Sequence, residues 1–261
     1  MQSENIQISV IMPALNEEKN IRNAVTNTLL ALDDLHINSE IIVVNDGSSD
    51  KTEEIVSGLM KGDTRLRTIK HSTPQGIGRS FWDGVDNARG EIIVMLPGDN
   101  ENDPWEIFRY YGLLEHVDIV IPFIFNKEAR SILRNALSFF YRFIINTTFL
   151  VNFNYTNGTV MYRRSILNEL NYRSSGFFFQ TDILIRTVKK GYLFAEVPYR
   201  LGLRKGGVSK AVTFPSLVKV AGGYLRLVRD YYFAKDGNGQ TPFSSNSLTA
   251  TRRNAENLRK I

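Results

Sequence analysis

The sequence predicts an α/β fold, a mainly parallel central sheet with helices on both faces. Three observations predict it. Strand-length apolar runs alternate with segments of helical spacing from residue 7 to residue 96. The runs QISVIMPA (7–14), SEIIVVND (39–46) and EIIVML (91–96) are almost unbroken, as in strands covered on both faces. Each of these runs leads into a polar cluster, PALNEE, NDGSSD or PGDNENDP, and parallel sheets bind ligands beyond the carboxyl ends of their strands.

The elements follow in order. The first strand stops at Pro13, and Asn16 is expected to open a helix with Glu17 and Glu18 in its first turn. Ile21, Ala24, Val25, Thr28, Leu29 and Leu32 keep helical spacing. The second strand ends at Asp46, KTEEIVSGLM (51–60) is helical, and RLRTIKH (65–71) alternates as a third strand. GIGRSFWDGVDNARG (76–90) is helical and stops at Gly90, before the fourth strand. Beyond it, VDIVIPFIF (117–125) reads as a strand and 128–151 as a helical stretch. Residues 158–170 read as a short strand and a helix. A helix over 180–191 closes at Gly191, a strand spans 193–201, and 214–233 is helical despite Gly222 and Gly223. The polar tail 236–261 is expected to be loosely ordered, leaving one domain over 1–235.

The 261 residues include no cysteine, which removes disulfides and thiolate metal sites and fits a reducing compartment. The amino terminus lacks the basic-then-apolar pattern of a signal peptide. The most apolar stretch, FFYRFIINTTFLVNF (139–153), is too short and too polar to span a bilayer. The net charge of +5 is unevenly spread: residues 1–125 carry −10 and residues 126–235 carry +13. The acidic half suits a cation-dependent site, and the basic half suits a polyanion or an anionic membrane surface.

Six motifs in order, VIMPALNEE, VVNDGSSDKT, QGIGRSFWDGVDNARGE, PGDNENDP, GYLFAEVP and RKGGVSK, resemble those of family 2 glycosyltransferases with a GT-A fold. The resemblance covers about residues 7–210 and is greatest to the dolichol-phosphate mannose synthase branch, which transfers a sugar from a nucleotide-sugar to a polyprenyl phosphate. No Gly-x-Gly-x-x-Gly opens the first βα turn, so a Rossmann dehydrogenase is disfavoured. The resemblance implies a GDP- or UDP-linked sugar donor, Mg²⁺ or Mn²⁺, a polyprenyl (dolichyl or undecaprenyl) phosphate acceptor and no nucleic acid. It also implies a cytoplasmic enzyme held peripherally at the membrane, where a partner protein could replace the transmembrane helices of many relatives. Two rivals stand beside it: a transferase with a non-lipid acceptor in envelope polysaccharide assembly, and a nucleotide-sugar-binding subunit without turnover.

The resemblance assigns the site residue by residue. Pro13, Ala14, Asn16, Glu17, Asn45, Asp46, Gln75, Gly76, Arg79 and Asp99 would surround the donor. Asp46 also has a plain alternative as a turn stabiliser. Asp99 and Glu101, two apart and on one side if the backbone is extended, would hold the cation. Pro97 stands where the family has a first metal-motif Asp. Arg130, Arg134, Ser138 and Arg142 recur every four residues, either as the wet face of an amphipathic helix or as a phosphate-binding stripe. The resemblance places the lipid phosphate on Arg134 and Ser138. Arg204, Ser209 and Lys210 form a lid over the diphosphate or a basic surface loop. Asp182 is a base, a helix N-terminal stabiliser or a sugar contact, with Gln180 near the sugar. An acceptor phosphate is already ionised and needs no base.

Overall fold

The computed structural model describes residues 5–126, 128, 131–201, 214–233 and 242–258. Seven strands form one sheet in the order β3-β2-β1-β4-β6-β5-β7. They are β1 (Ile8–Ala14), β2 (Ser39–Asn45), β3 (Leu66–Lys70), β4 (Ile92–Met95), β5 (Ile119–Ile124), β6 (Met161–Arg163) and β7 (Phe194–Tyr199). β6 pairs antiparallel with β4 and with β5, and the other described pairings are parallel. The sheet thus runs through both the acidic and the basic half of the sequence.

Why the first strands read as unbroken apolar runs is visible in β1. Val10 and Met12 face one core layer, Ile11 faces the other, and all three are fully buried. Helix α1 (Ile21–Asp34) covers the first face through Ile21, Ala24, Val25, Thr28, Ala31 and Leu32. α2 (Thr52–Met60) and α4 (Pro104–Phe108) join it through Val56, Ile107 and Phe108. α3 (Ile77–Asn87) covers the second face with Phe81, Trp82 and Val85. A Cβ on Gly84 would lie 2.5 Å from Ile11 Cγ2, so only glycine lets α3 approach β1 this closely. α5 (Ile132–Phe149), α6 (Arg164–Asn168), α7 (Phe179–Lys190) and α8 (Phe214–Phe233) add Phe149, Ile166, Ile183 and Leu227 to the same layer.

At the edge opposite the polar clusters, Glu40 is buried and collects five hydrogen bonds. They come from Ser9 Oγ (2.7 Å), Arg67 Nε and Nη2 (3.0 and 2.7 Å), and Arg89 N and Nε (2.7 and 3.0 Å). Burial alone would raise its pKa, but the Ser9 and Arg89 hydrogen bonds and the Arg67 charge hold it below the usual carboxylate range.

Two expectations fail. α1 starts at Ile21, not at Asn16, and has no acid in its first turn. Asn16 instead takes a left-handed backbone (φ 57°), which asparagine tolerates, and belongs to the preceding loop. The tail is not loosely ordered throughout, since Leu248–Leu258 form a helix, α9. The fully buried Asp118 accepts from Leu248 N (2.7 Å) and Thr249 N (3.0 Å), capping that helix. The partner that orders the tail lies 130 residues away, beyond the reach of local pattern.

Candidate active site

The loops after β1 and β2 clasp each other. Asn16 N donates to Ser48 Oγ (3.0 Å), Glu17 N to Thr52 Oγ1 (2.8 Å) and Glu18 N to Asp50 Oδ2 (3.0 Å), while Ser49 N donates to Asn16 Oδ1 (2.9 Å). Of the acids in this clasp, Glu18 accepts from Lys51 N (3.2 Å), Asp50 from Glu18 N and Thr52 N (both 3.0 Å), and Glu17 from the side-chain amide of Asn20 (2.8 Å). Asn45 is buried; its Oδ1 accepts from Ser48 N (3.0 Å) and its Nδ2 has no hydrogen-bond partner among the described residues.

Asp46 has a denser set of partners than a free ligand would. Its Oδ1 accepts from Gln75 N (2.7 Å) and faces His71 Nδ1 (2.7 Å), and its Oδ2 accepts from Gly76 N (2.9 Å). It gathers the 71–76 turn, as the turn-stabilising alternative anticipates. Gly47 (φ 74°) lets that turn pack, since a Cβ there would lie 2.8 Å from Thr73 C. On the far side, Gly78 N donates to Ser175 O (3.0 Å). Arg79 points along α3 to Asp83 (2.8 Å).

The acid loop after β4 follows β1, with Leu96 N on Ile11 O (2.9 Å) and Gly98 N on Pro13 O (3.0 Å). That brings Pro13 and Ala14 beside the residues around Asp99. The backbone here is not extended: residues 98 and 99 form a turn, Asn100 has φ 56°, and Asp99 Oδ1 accepts from Glu101 N (3.1 Å). The two carboxylates are thus positioned by a turn rather than by strand alternation. Asp103 caps α4 through Trp105 N (3.0 Å), and Glu106 pairs with Arg109 (3.1 Å). Among the described residues no group of three or more acids or histidines could hold a metal by itself. Asp99 and Glu101 offer hard oxygen donors, and Mg²⁺ is commonly held by one or two carboxylates plus substrate phosphates. The donor set fits a cation shared with a diphosphate.

Glu101 and Arg134 line one cavity of about 130 Å³ at this edge, together with Pro97, Asn102, Tyr155 and Asn157. Tyr155 and Asn157 also border a larger cavity of about 640 Å³ under α5. Its walls include Phe123, Phe125, Ile132, Phe139, Ser138 and Arg142. The polar stripe of α5 is thus split: Arg134 faces the acid loop, while Ser138 faces the apolar cavity. Arg142 donates to Asn154 O (2.9 Å). Phe139, Phe140 and Phe143 are each more than half exposed beside it. α8 packs on the end of α5, with Tyr224 OH and Thr148 Oγ1 2.8 Å apart, and exposes Leu217, Leu225 and Phe233.

Asp182 does not face either cavity. It is buried, and its Oδ2 accepts from Arg186 Nε (2.9 Å), which in turn reaches Asp230 of α8 (2.8 Å). Burial raises its pKa against the opposing pull of Arg186. This arrangement ties α7 to α8. Gln180 Nε2 donates to Gly158 O (2.5 Å), and Thr181 Oγ1 lies 2.8 Å from Tyr141 OH, so α7 supports the cavity floor instead. Burial pushes the Tyr141 phenol up to about 12. Arg130, Arg204, Ser209 and Lys210 lie outside the described residues.

Sequence reasoning missed Tyr155, Asn157 and His71. YTNGT (155–159) precedes β6 at the same sheet edge, and His71 follows β3 there. The carboxyl-edge rule that selected Asp46 would also have selected His71.

The family model described as Glycosyl transferase family 2 matches residues 9–170. The chain is 27% identical over 220 residues to a polyprenol monophosphomannose synthase of Mycolicibacterium smegmatis, covering 77% of this chain and 79% of that protein. It is 25% identical over 143 residues to an undecaprenyl-phosphate 4-deoxy-4-formamido-L-arabinose transferase of Salmonella choleraesuis, covering 54% of this chain and 44% of that one. Among solved structures, the Mycobacterium tuberculosis glucosyl-3-phosphoglycerate synthase with Mn²⁺, UDP-glucose and phosphoglyceric acid gives a TM-score of 0.64 at 22% identity, over 85% of this chain and 79% of that chain. At that identity the likeness is one of fold. The chain belongs to glycosyl transferase family 2 and is a glycosyltransferase with a GT-A fold.

Proposed function

We propose that this glycosyltransferase moves a hexose-type sugar from a nucleoside-diphosphate sugar to a polyprenyl phosphate. The observation that carries the reading is the shared cavity. It sets Arg134, suited to a phosphate, opposite Glu101 of the acid loop, and an apolar cavity begins at its Tyr155–Asn157 wall. The two named relatives act on polyprenol or undecaprenyl phosphate by their descriptions, which supports a lipid acceptor here.

In this reading the loops after β1, β2 and β4 receive the donor, and Asp99 and Glu101 hold Mg²⁺ or Mn²⁺. The cation, when bound, neutralises the diphosphate leaving group. Solved structures of similar fold carry Mn²⁺ or Mg²⁺ with UDP by their titles, in keeping with this assignment. Arg134 orients the acceptor phosphate, with Ser138 one helical turn on, toward the apolar cavity. A phosphate oxygen attacks the anomeric carbon as the bond to the diphosphate breaks, and the nucleoside diphosphate leaves. No proton is removed from the acceptor, which accords with the engagement of Asp182 by Arg186. The exposed phenylalanines of α5 and the apolar face of α8 would rest on the membrane, with the acidic donor half toward the cytosol. No helix among the described residues is long and apolar enough to cross a membrane.

A non-lipid acceptor is the second reading, favoured by the phosphoglyceric acid named in structures of similar fold. Incubation with labelled UDP- and GDP-sugars, a polyprenyl phosphate or phosphoglyceric acid, and Mg²⁺ separates them. Label extracted into organic solvent supports the lipid reading; label retained only in water-soluble product overturns it.

A further inference from the structure

Arg134 lines the small cavity beside the acid loop, and Ser138 and Tyr141 line the larger apolar one. Their spacing of four and three residues puts all three on one face of α5. Tyr155 and Asn157 are the described residues that border both cavities. A phosphate held by Arg134, with its lipid chain in the apolar cavity, must cross the junction that these two residues wall.

Asn157 is exposed there, in the loop before β6, and two helices hold its side chain. Thr181 Oγ1 of α7, fully buried, donates to Asn157 Oδ1 (3.3 Å); the Thr156 carbonyl is farther, at 3.5 Å. Tyr141 OH of α5 lies 2.8 Å from the same Thr181 hydroxyl. With the Thr181 proton on Asn157, the phenol is the donor of that pair. Asn157 also meets the phenol, and this contact opposes the rise of the Tyr141 pKa, as a donor to the phenol oxygen does. The network thus engages the amide oxygen and one N–H. A side-chain amide carries two N–H donors, so one remains for a ligand at the junction.

We propose that Asn157 is a second ligand of the acceptor phosphate, its amide aimed by Thr181 and Tyr141. The proposal rests on the lipid-acceptor reading given above. A phosphate monoester carries a charge of about −1.5 to −2 near neutral pH and three strong acceptor oxygens. The Arg134 fork can meet two of them, and an oxygen withdrawn from water without a donor is costly. An amide N–H satisfies an oxygen without adding positive charge, so the attacking oxygen keeps its nucleophilicity. Asn157 takes no part in the bonds that form and break. Thr181 and Tyr141 are positioning residues that act through it.

The test measures initial rates with a short-chain polyprenyl phosphate at saturating UDP- or GDP-sugar and Mg²⁺, beside calorimetric binding of the nucleoside diphosphate. Asn157→Ala should lower kcat/KM for the acceptor about tenfold, the contribution of one hydrogen bond to a charged group. Asn157→Asp keeps the size but sets a carboxylate against the phosphate, so its loss should exceed that of Asn157→Ala. Nucleotide affinity should stay within about twofold in both. Tyr141→Phe keeps the ring that lines the apolar cavity and should lower the acceptor kcat/KM about threefold, the effect of one neutral hydrogen bond. Added to Asn157→Ala it should lower it no further, a non-additivity that a general loss of packing would not produce. Wild-type acceptor kinetics in Asn157→Asp, an equal loss of nucleotide affinity, or additive effects of Tyr141→Phe and Asn157→Ala each overturns the proposal. If Asn157→Ala does not fold, the Asn157→Asp and Tyr141→Phe rates decide. Lipid product from the wild type with unaffected variants defeats only the role of Asn157. No lipid product, with label on phosphoglyceric acid alone, defeats the lipid-acceptor reading itself and this role with it.

Discussion

Arg134→Ala offers a direct test of where the acceptor phosphate sits. The Arg134 side chain is half-buried in the cavity it shares with Glu101, Tyr155 and Asn157. The helix start does not depend on that side chain, because Ser131 Oγ caps α5 through the Arg134 backbone amide (3.3 Å). Truncation should therefore leave the melting temperature nearly unchanged. A hydrogen bond to a charged group is worth about 1.5–3 kcal/mol. At about 1.4 kcal/mol per decade, loss of one such contact lowers kcat/KM for the acceptor by about 10- to 150-fold. Water entering the space left by the guanidinium would screen part of the effect and favour the lower end. Arg134→Lys keeps the charge but loses the planar fork, so it should fall between the two. The assay measures initial rates with a short-chain polyprenyl phosphate at saturating donor, beside calorimetric donor binding. Donor affinity should change by less than about twofold, since the effect is confined to the acceptor. An equal loss of donor and acceptor affinity would move Arg134 to the donor side and refute the reasoning.

Three further outcomes are expected. Asp99→Ala should abolish transfer and weaken nucleoside-diphosphate binding in Mg²⁺ while the protein stays folded, measured by activity, calorimetry and thermal melting; wild-type rates would remove Asp99 from the metal site. Glu40→Gln should cost about 3 kcal/mol, because it leaves the Arg67 and Arg89 charges without their buried partner. Since the folded Glu40 pKa is lowered, its contribution is complete above the ordinary glutamate range and is lost as the pH falls through the folded value. The gap between the two denaturation curves should accordingly close in acid, and a gap constant down to full protonation would contradict the assignment. Flotation with anionic vesicles should recover the protein at low salt and lose it at high salt. Replacing Phe139, Phe140 and Phe143 together with Ser should weaken that recovery; unchanged flotation would show that the α5 face does not meet the bilayer.

The sequence by itself determined the layers and the edge at which the candidate site lies. The unbroken apolar run of β1, helical spacing in α1 and polar clusters after apolar strands are local signals, set by neighbours within a few residues. The tertiary structure decided which donors each acid meets. Asp46, Asp99 and Asp182 look alike in sequence, yet Asp46 gathers a turn through donors 25 to 30 residues away. Asp182 is tied to Arg186 and, through it, to Asp230 of α8. Only Asp99 lies in the loop that borders the shared cavity. The same distance effect set Arg134 opposite Glu101 and ordered the tail on Asp118. A carboxylate's role depends on which donors reach it first, and folding brings those donors from parts of the chain that local patterning does not connect.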